Sequence, residues 1–198
     1  MNLKYQSIQF LTSFADVKYI NITDIGIEVA CIGYSNVGKS TLINCLARNN
    51  KLSRFSKYPG RTKLINFFMI DKNFRLVDLP GYGYSKFCKC EIKNFNLVVR
   101  YIKYRKCLKI VILVIDIRRL LRPFDVKMLF LLKLYNIQCI VLLNKCDKLN
   151  TLYQKKKIHL LNKEINSINP FSFSILFSSF KKVGLHILYN YIDNIIFK

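Results

Sequence analysis

The sequence predicts a single α/β domain with a mostly parallel central sheet flanked by helices on both faces. Three observations carry that expectation. Short apolar runs of strand length alternate with longer stretches of helical periodicity, the order that builds βαβ units. One run, Lys109 to Asp116, is apolar almost without a break, as strands covered on both faces are. Polar, glycine-containing segments repeatedly follow the apolar runs, where a parallel sheet keeps its ligand loops. The chain has 198 residues, 52% hydrophobic and 22% charged, enough to bury a real core and too apolar for a disordered chain.

Taken in order, residues 1–24 read as an N-terminal extension packed on a domain spanning 25–198. Within the extension, Ile8, Leu11 and Phe14 fall at helical spacing, predicting a short amphipathic, helix-like segment from Leu3 to Asp16. Ile27 to Ile32 is the first core strand. It leads into Gly33-Tyr34-Ser35-Asn36-Val37-Gly38-Lys39-Ser40-Thr41, which fits the phosphate-loop pattern of Gly, four residues, then Gly-Lys-Ser. Gly33 and Gly38 let the backbone curl, so that successive N–H groups form an anion-binding nest at a helix N-terminus. Lys39 would reach the β- and γ-phosphates, and the Ser40 hydroxyl would ligate Mg²⁺. A glycine turn of purely structural purpose would leave Lys39-Ser40 at a helix start unexplained.

The helix runs to about Arg48, and a polar loop from Asn49 to Lys63 follows. Its end, Gly60-Arg61-Thr62-Lys63-Leu64, arrives where a first switch would lie. Thr62 could add a hydroxyl and a backbone N–H to Mg²⁺ and the γ-phosphate, ordering the loop only when that phosphate is present. Leu64–Ile70 and Phe74–Val77 read as a hairpin around Asp71-Lys72-Asn73. The second strand runs into Asp78-Leu79-Pro80-Gly81. There Asp78 would hold Mg²⁺ through water, and the Gly81 amide would sense the γ-phosphate. Tyr82 follows Gly81, where many GTPases carry a Gln that orients the attacking water. A tyrosine cannot do so through an amide, so slow intrinsic hydrolysis is expected. Lys39, Thr62 and Gly81 are thus the residues expected to act on the transferred phosphate.

Helices are predicted from about Phe95 to Tyr104 and from Phe124 to Leu134, the latter opened by Pro123. The strand Gln138–Leu143 ends in Asn144-Lys145-Cys146-Asp147, which selects a base. Asp147 can accept from N1–H and the exocyclic amine of guanine, a pair that adenine does not offer. Asn144 would bridge the base loop to the phosphate loop, and Lys145 would lay its stem along the ring. A buried acceptor of this kind rejects a base lacking the donors by several kcal/mol. A basic helix opens at Lys155-Lys156-Lys157, a charge run that reads either as a solvated face or as a binding surface. A last strand, Phe173–Phe177, leads to Ser178-Ser179, whose backbone N–H can meet guanine O6. A closing helix runs from about Val183 to Ile196.

The formal charge is +22, from 33 basic and 11 acidic residues. Two readings stand side by side. One is a polyanionic partner, RNA above all, bound by phosphate neutralisation. The other is compositional drift toward Lys, Asn, Ile, Phe and Tyr. Of seven glycines, five (Gly33, Gly38, Gly60, Gly81, Gly83) lie in the loops assigned here to nucleotide, as expected if drift cannot touch positions that need a glycine backbone. No apolar run approaches the ~20 residues of a membrane span, and the N-terminus lacks a signal-peptide pattern, so a cytoplasmic protein is expected. A monomer is the expectation for its assembly, although the sequence does not give the oligomeric state. Cys31, Cys45, Cys107, Cys139 and Cys146 sit singly in apolar patterns, as reduced core residues do. Cys88 and Cys90 lack His159 or His186 at ligand spacing, which argues against a zinc site.

Together these segments resemble the EngB family of bacterial GTPases, a branch of the TrmE-Era-EngA-EngB-Septin-like class of P-loop GTPases, over nearly the whole chain. The resemblance rests on Glu28-Val29-Ala30 before the phosphate loop and on Pro59 to Phe68. It continues through Asp78 to Tyr84, Asp116-Ile117-Arg118-Arg119, Asn144 to Asp147, and Phe177-Ser178-Ser179 with Lys181, Lys182 and Gly184. It implies a single P-loop GTPase domain that assists large ribosomal subunit assembly, and through it growth or cell division. It also implies GTP and GDP as substrate and product, Mg²⁺ held by Ser40 and Thr62, and rRNA or ribosomal proteins as partners. Tyr34 stands where the family usually has Arg, Asn144 replaces its more frequent Thr, and the usual Trp after the second switch is absent. Asn36 suggests K⁺ as a further cofactor, since some GTPases with Asn at this position use the ion where others use an arginine. The competing reading is a basic RNA-binding module that holds guanine nucleotide without useful turnover.

Overall fold

The computed structural model describes residues 5, 7–50, 52, 64–83, 89–119 and 121–196. Its strands are β1 (Gln9–Phe14), β2 (Ile27–Ile32), β3 (Ile65–Asp71), β4 (Phe74–Asp78), β5 (Leu108–Asp116), β6 (Gln138–Asn144) and β7 (Phe173–Leu176). Its helices are α1 (Lys39–Ala47), α2 (Lys89–Tyr104), α3 (Pro123–Leu134), α4 (Thr151–Ile168) and α5 (Leu185–Ile196). The seven strands form one sheet in the order β1-β3-β4-β2-β5-β6-β7. β4, β2, β5, β6 and β7 are mutually parallel, and β3 runs antiparallel to both its neighbours. No helix among the described residues is long and apolar enough to cross a membrane.

Connection geometry distributes the helices. The step from β2 to β4 moves one way across the sheet, and the steps β4 to β5, β5 to β6 and β6 to β7 move the other way. With right-handed crossovers this places α1 on one face and α2, α3 and α4 on the opposite one. α5 joins α1, since the Tyr189 hydroxyl donates to the Leu46 carbonyl at 2.7 Å. Between the layers, Val29–Ile32, Ile110–Ile115 and Ile140–Leu143 are essentially buried. Strand register brings the functional ends together: Cys31 pairs with Asp78, Ile32 with Leu113 and Asp116 with Asn144.

The N-terminal stretch departs from the helical expectation. Gln9–Phe14 is an antiparallel edge strand against β3, with an irregularity between Phe10 and Thr12. That extra residue at Leu11 breaks the two-residue alternation and leaves Ile8, Leu11 and Phe14 at a spacing that imitates a helix. The strand is fixed by cross-strand aromatic pairs instead, Phe10 on Phe68 and Phe14 on Phe67 with centroids 5.9 and 5.7 Å apart. Before it, Tyr5 stacks on Tyr189 and donates to Asp193 at 2.8 Å. α2 begins at Lys89, a turn and a half earlier than its apolar pattern suggests.

A buried ion cluster sets the root of β2. The Glu28 carboxylate has no exposure and accepts from Arg75 Nε at 3.1 Å, from both sides of the Arg105 guanidinium, and from the Tyr101 hydroxyl. Burial alone would raise its pKa, but the Arg105 and Tyr101 hydrogen bonds outweigh it and hold the carboxyl below its usual range. The same arginines donate to the carbonyls of Ile22, Thr23 and Ile25, and Asp24 accepts from the amides of Lys106 and Cys107. The chain entering β2 is thereby tied to β4 and to the α2–β5 turn.

Candidate functional site

At the carboxyl ends of β2, β4, β5 and β6, four chain segments meet. Gly33 to Gly38 turns from β2 into α1, with Gly33 at φ 143°, Asn36 at 63° and Gly38 at 107°. The left-handed Gly38 caps α1 with no side chain in the way, leaving the first amides of the helix facing the loop. Lys39 is buried, and its ammonium donates to the carbonyls of Gly33 and Tyr34 at 3.0 Å each. Burial lowers its pKa, and the nearby Asp78 charge offsets only part of that. Ser40 and Thr41 follow on the first turn, both half-buried.

Asp78 ends β4 beside β2 with 1% exposure. Burial pushes its pKa up to about 6, against the opposing effects of the Lys39 charge and an Asn66 hydrogen bond. Its Oδ1 has no hydrogen-bond partner among the described residues. A buried carboxylate oxygen without a partner suits a hard, oxygen-seeking cation. Leu79 and Pro80 are buried, and the Leu79 amide donates to the Cys31 carbonyl. A Cβ at Gly81 would lie 2.6 Å from Lys39 Nζ and 3.0 Å from Ser35 Oγ, so only glycine brings its backbone this close to the loop lysine. The Gly81 carbonyl accepts from the Asn94 amide at 2.9 Å.

The segment after Gly81, expected to be a second switch, is clamped to the β2–α1 loop. Tyr34 and Tyr82 form a parallel bridge, and the Ser35 amide donates to the Tyr82 carbonyl at 2.8 Å. Tyr82 has no exposure. Its ring packs among Tyr34, Phe95 and Phe124, with centroids 4.8, 5.7 and 5.7 Å away, and its hydroxyl donates to Asp125 at 3.3 Å. Burial raises the Asp125 carboxyl to about 6, against the Arg122 backbone and guanidinium. Arg122 lies over the Tyr34 ring, 3.2 Å from its centroid. The sequence reading denied Tyr82 a water-orienting amide; its burial removes the side chain from the cleft altogether.

The loop after β6, expected to read the base, is joined to the β2–α1 loop by side chains. Asn144 Nδ2 donates to the Val37 carbonyl at 2.9 Å, and a Cβ at Gly38 would sit 2.4 Å from that nitrogen. Lys145 has φ 64°, and its ammonium reaches the Asn36 carbonyl at 2.8 Å and Asp116 at 3.1 Å. Its stem therefore spans the floor between strand end and loop. Asp147 accepts from the Ser178 hydroxyl, which lowers its pKa and keeps it ionised as an acceptor. The Cys146 amide donates to the buried Phe177 at 3.1 Å. Ser179 directs both its N–H and its hydroxyl to Asn144 Oδ1 at 3.3 Å, whereas the sequence reserves that N–H for a base carbonyl.

Of the expected first switch, Leu64 is exposed just before β3, while Gly60, Arg61, Thr62 and Lys63 lie outside the described residues, as do Tyr84 and Ser85. Sequence reasoning missed Asn66, which holds Asp78, and Asn94, Arg122 and Asp125, which hold the second switch. The one available signal was polar residues set in otherwise apolar patterns.

Comparison with known proteins bears on this geometry. Residues 28–145 match the family model described as 50S ribosome-binding GTPase. The chain is 43% identical over 185 residues to the "Probable GTP-binding protein EngB" of Buchnera aphidicola subsp. Acyrthosiphon pisum, covering 93% of this chain and 90% of that one. It is 39% identical over 194 residues to the protein of the same name in Klebsiella pneumoniae, covering 98% and 92%. The chain belongs to the EngB family of P-loop GTPases. A crystal structure of a probable GTP-binding protein engB superposes with TM-score 0.64 at 26% identity, covering 85% of this chain and 98% of that one. Era bound to MgGDPNP and a 16S ribosomal RNA fragment superposes with TM-score 0.66 at 25% identity, covering 87% and 57%. Tyr34, with 6% exposure, packs against Tyr82 and Phe124, and its hydroxyl accepts from the Phe124 amide at 3.3 Å.

Proposed function

We propose that this chain is a cytoplasmic guanine-nucleotide switch that hydrolyses GTP slowly and, in its GTP-bound state, engages the large ribosomal subunit or its precursor. The supporting observation is the convergence of Lys39, Asp78, Gly81, Asn144 and Asp147 on one cleft. In this reading the Gly33–Ser40 amides and Lys39 bind the phosphates. Ser40 and Thr62 would hold Mg²⁺, with Asp78 adding negative charge beside them. The ion would supply charge neutralisation for the phosphates. Asp147 reads the guanine edge, Asn144 locks the base loop to the phosphate loop, and the Ser178–Ser179 segment closes over the base. The Gly81 amide and Thr62 report the γ-phosphate to the two switches.

The burial of Tyr82 supports slow chemistry, because no side chain at that position can orient water. It also supports the second reading, a nucleotide-holding RNA binder without useful turnover; multiple-turnover hydrolysis stimulated by ribosomal particles separates the two. K⁺ near Asn36 is part of the first reading, and hydrolysis should then run faster in K⁺ than in Na⁺. The direct test of the switch is co-sedimentation with large ribosomal subunits, comparing a non-hydrolysable GTP analogue with GDP at two salt concentrations. Binding that requires the analogue and survives moderate salt supports it. Binding indifferent to nucleotide and lost with salt refutes it.

A further inference from the structure

At the end of the sheet opposite the nucleotide cleft, a groove of about 270 Å³ lies between the C-terminus of α2, the start of β5 and the α3–β6 turn. Lys103, Lys106, Lys109, Tyr135 and Asn136 are exposed along it, and Tyr104 is 59% exposed beside Lys103, whose ammonium lies 5.7 Å from the ring centroid. Two carboxylates at this end, Glu28 and Asp24, are already matched. Glu28 is taken by Arg75 and Arg105, and Asp24 by the amides of Lys106 and Cys107 with Arg105 nearby. Glu28 and Asp24 balance Arg75 and Arg105 in charge, so the three lysines stand uncompensated. They make no ion pair among the described residues.

We propose that this groove is a binding surface for single-stranded RNA, remote from the nucleotide cleft. The assignment rests on the reading of a ribosomal RNA partner and names where that partner is held. Uncompensated lysines recognise the phosphate backbone. Flanking tyrosines offer stacking faces that only unpaired bases can use, and the Asn136 amide can meet a base edge. A duplex, its bases already stacked, would leave the aromatic edges idle.

The test is a fluorescence-anisotropy titration of the 198-residue, GDP-bound chain with a labelled single-stranded RNA of mixed sequence, about 16 nucleotides long, across a salt series. Three phosphate contacts account for a salt slope of about 2 and up to ~100-fold in affinity near 0.1 M salt. K103Q/K106Q/K109Q should lose affinity on that scale and show the correspondingly shallower slope. Tyr135→Ala should lose about tenfold with the slope unchanged. The control, K155Q/K156Q/K157Q, removes equal charge from α4, where Lys155 and Lys156 are exposed and Lys157 is half-buried. Equal loss in both triple variants, wild-type binding by the groove variant, or equal competition by polyglutamate would overturn the proposal. Its failure is distinguishable from failure of the switch: the first shows in free-RNA titration, the second in co-sedimentation that ignores the nucleotide.

Discussion

Asp78 is buried with one unpartnered oxygen, and its carboxyl is raised to about 6 from an ordinary value of about 3.9. The folded protein therefore binds this proton more tightly than the unfolded chain does. The contribution of this one group to stability is highest below about pH 4 and is lost as the pH rises through about 6. The displacement of about two pH units corresponds to ~3 kcal/mol of destabilisation at pH 7.5, shrinking to about half that at pH 5 and to a small fraction of it at pH 4. Asp78→Asn removes the charge while keeping the shape. Lys39 then loses its nearest counter-charge, which offsets part of the gain, so the net stabilisation at pH 7.5 should be roughly 1–2 kcal/mol. In thermal melts that is a rise of about 2–8 °C for a chain of this size. The assay is urea and thermal unfolding in EDTA without nucleotide at pH 4, 5 and 7.5, with Mg²⁺-dependent GDP binding in parallel. The variant should be more stable than wild type at pH 7.5, nearly equal at pH 4, and blind to Mg²⁺. Destabilisation at pH 7.5, or a gain that does not change with pH, would refute the reasoning.

Other perturbations test other parts. Glu28→Gln leaves two buried guanidinium groups without their carboxylate and should cost about 3–5 kcal/mol in urea unfolding; a loss under ~1 kcal/mol would show that the cluster does not anchor β2. Tyr82→Gln places an amide in the Tyr34–Phe95–Phe124 cluster. It should destabilise by about 3 kcal/mol without accelerating single-turnover hydrolysis, and a clear acceleration would mean that the position faces the cleft. Asn144→Ala cuts the ties to Val37 and Ser179, and at ~1 kcal/mol per bond should weaken GDP binding about 10- to 100-fold, as calorimetry would read.

The loops at the carboxyl ends of β2 and β6 were legible as places where a strand turns into a helix. Gly33 and Gly38 take positive φ there, Lys39 folds back onto the carbonyls of Gly33 and Tyr34, and Asn144 ties the end of β6 to Val37. The alternation of β2, β5 and β6 with helices was legible at longer range: parallel strands covered on both faces must be apolar throughout. β1 was not legible, because the irregularity at Leu11 broke the period that marks a strand. The Glu28 cluster was hidden for another reason. Its partners lie 47 and 77 positions away, and no local pattern announces a contact made by tertiary packing. The same holds for Tyr82, whose partners Tyr34, Phe95 and Phe124 come from three other segments. The absent glutamine could be read from the sequence, but where the replacing ring goes could not.

The base reader is the point on which the rest depends. Calorimetric titration with GDP and with ADP in Mg²⁺, on the wild type and on Asp147→Asn with xanthosine diphosphate added, measures it directly. A guanine site built on Asp147 predicts at least a 10³-fold preference for GDP over ADP, and a shift of preference to xanthosine diphosphate in the variant. Comparable affinities for GDP and ADP, or a variant whose selectivity is unchanged, would contradict it.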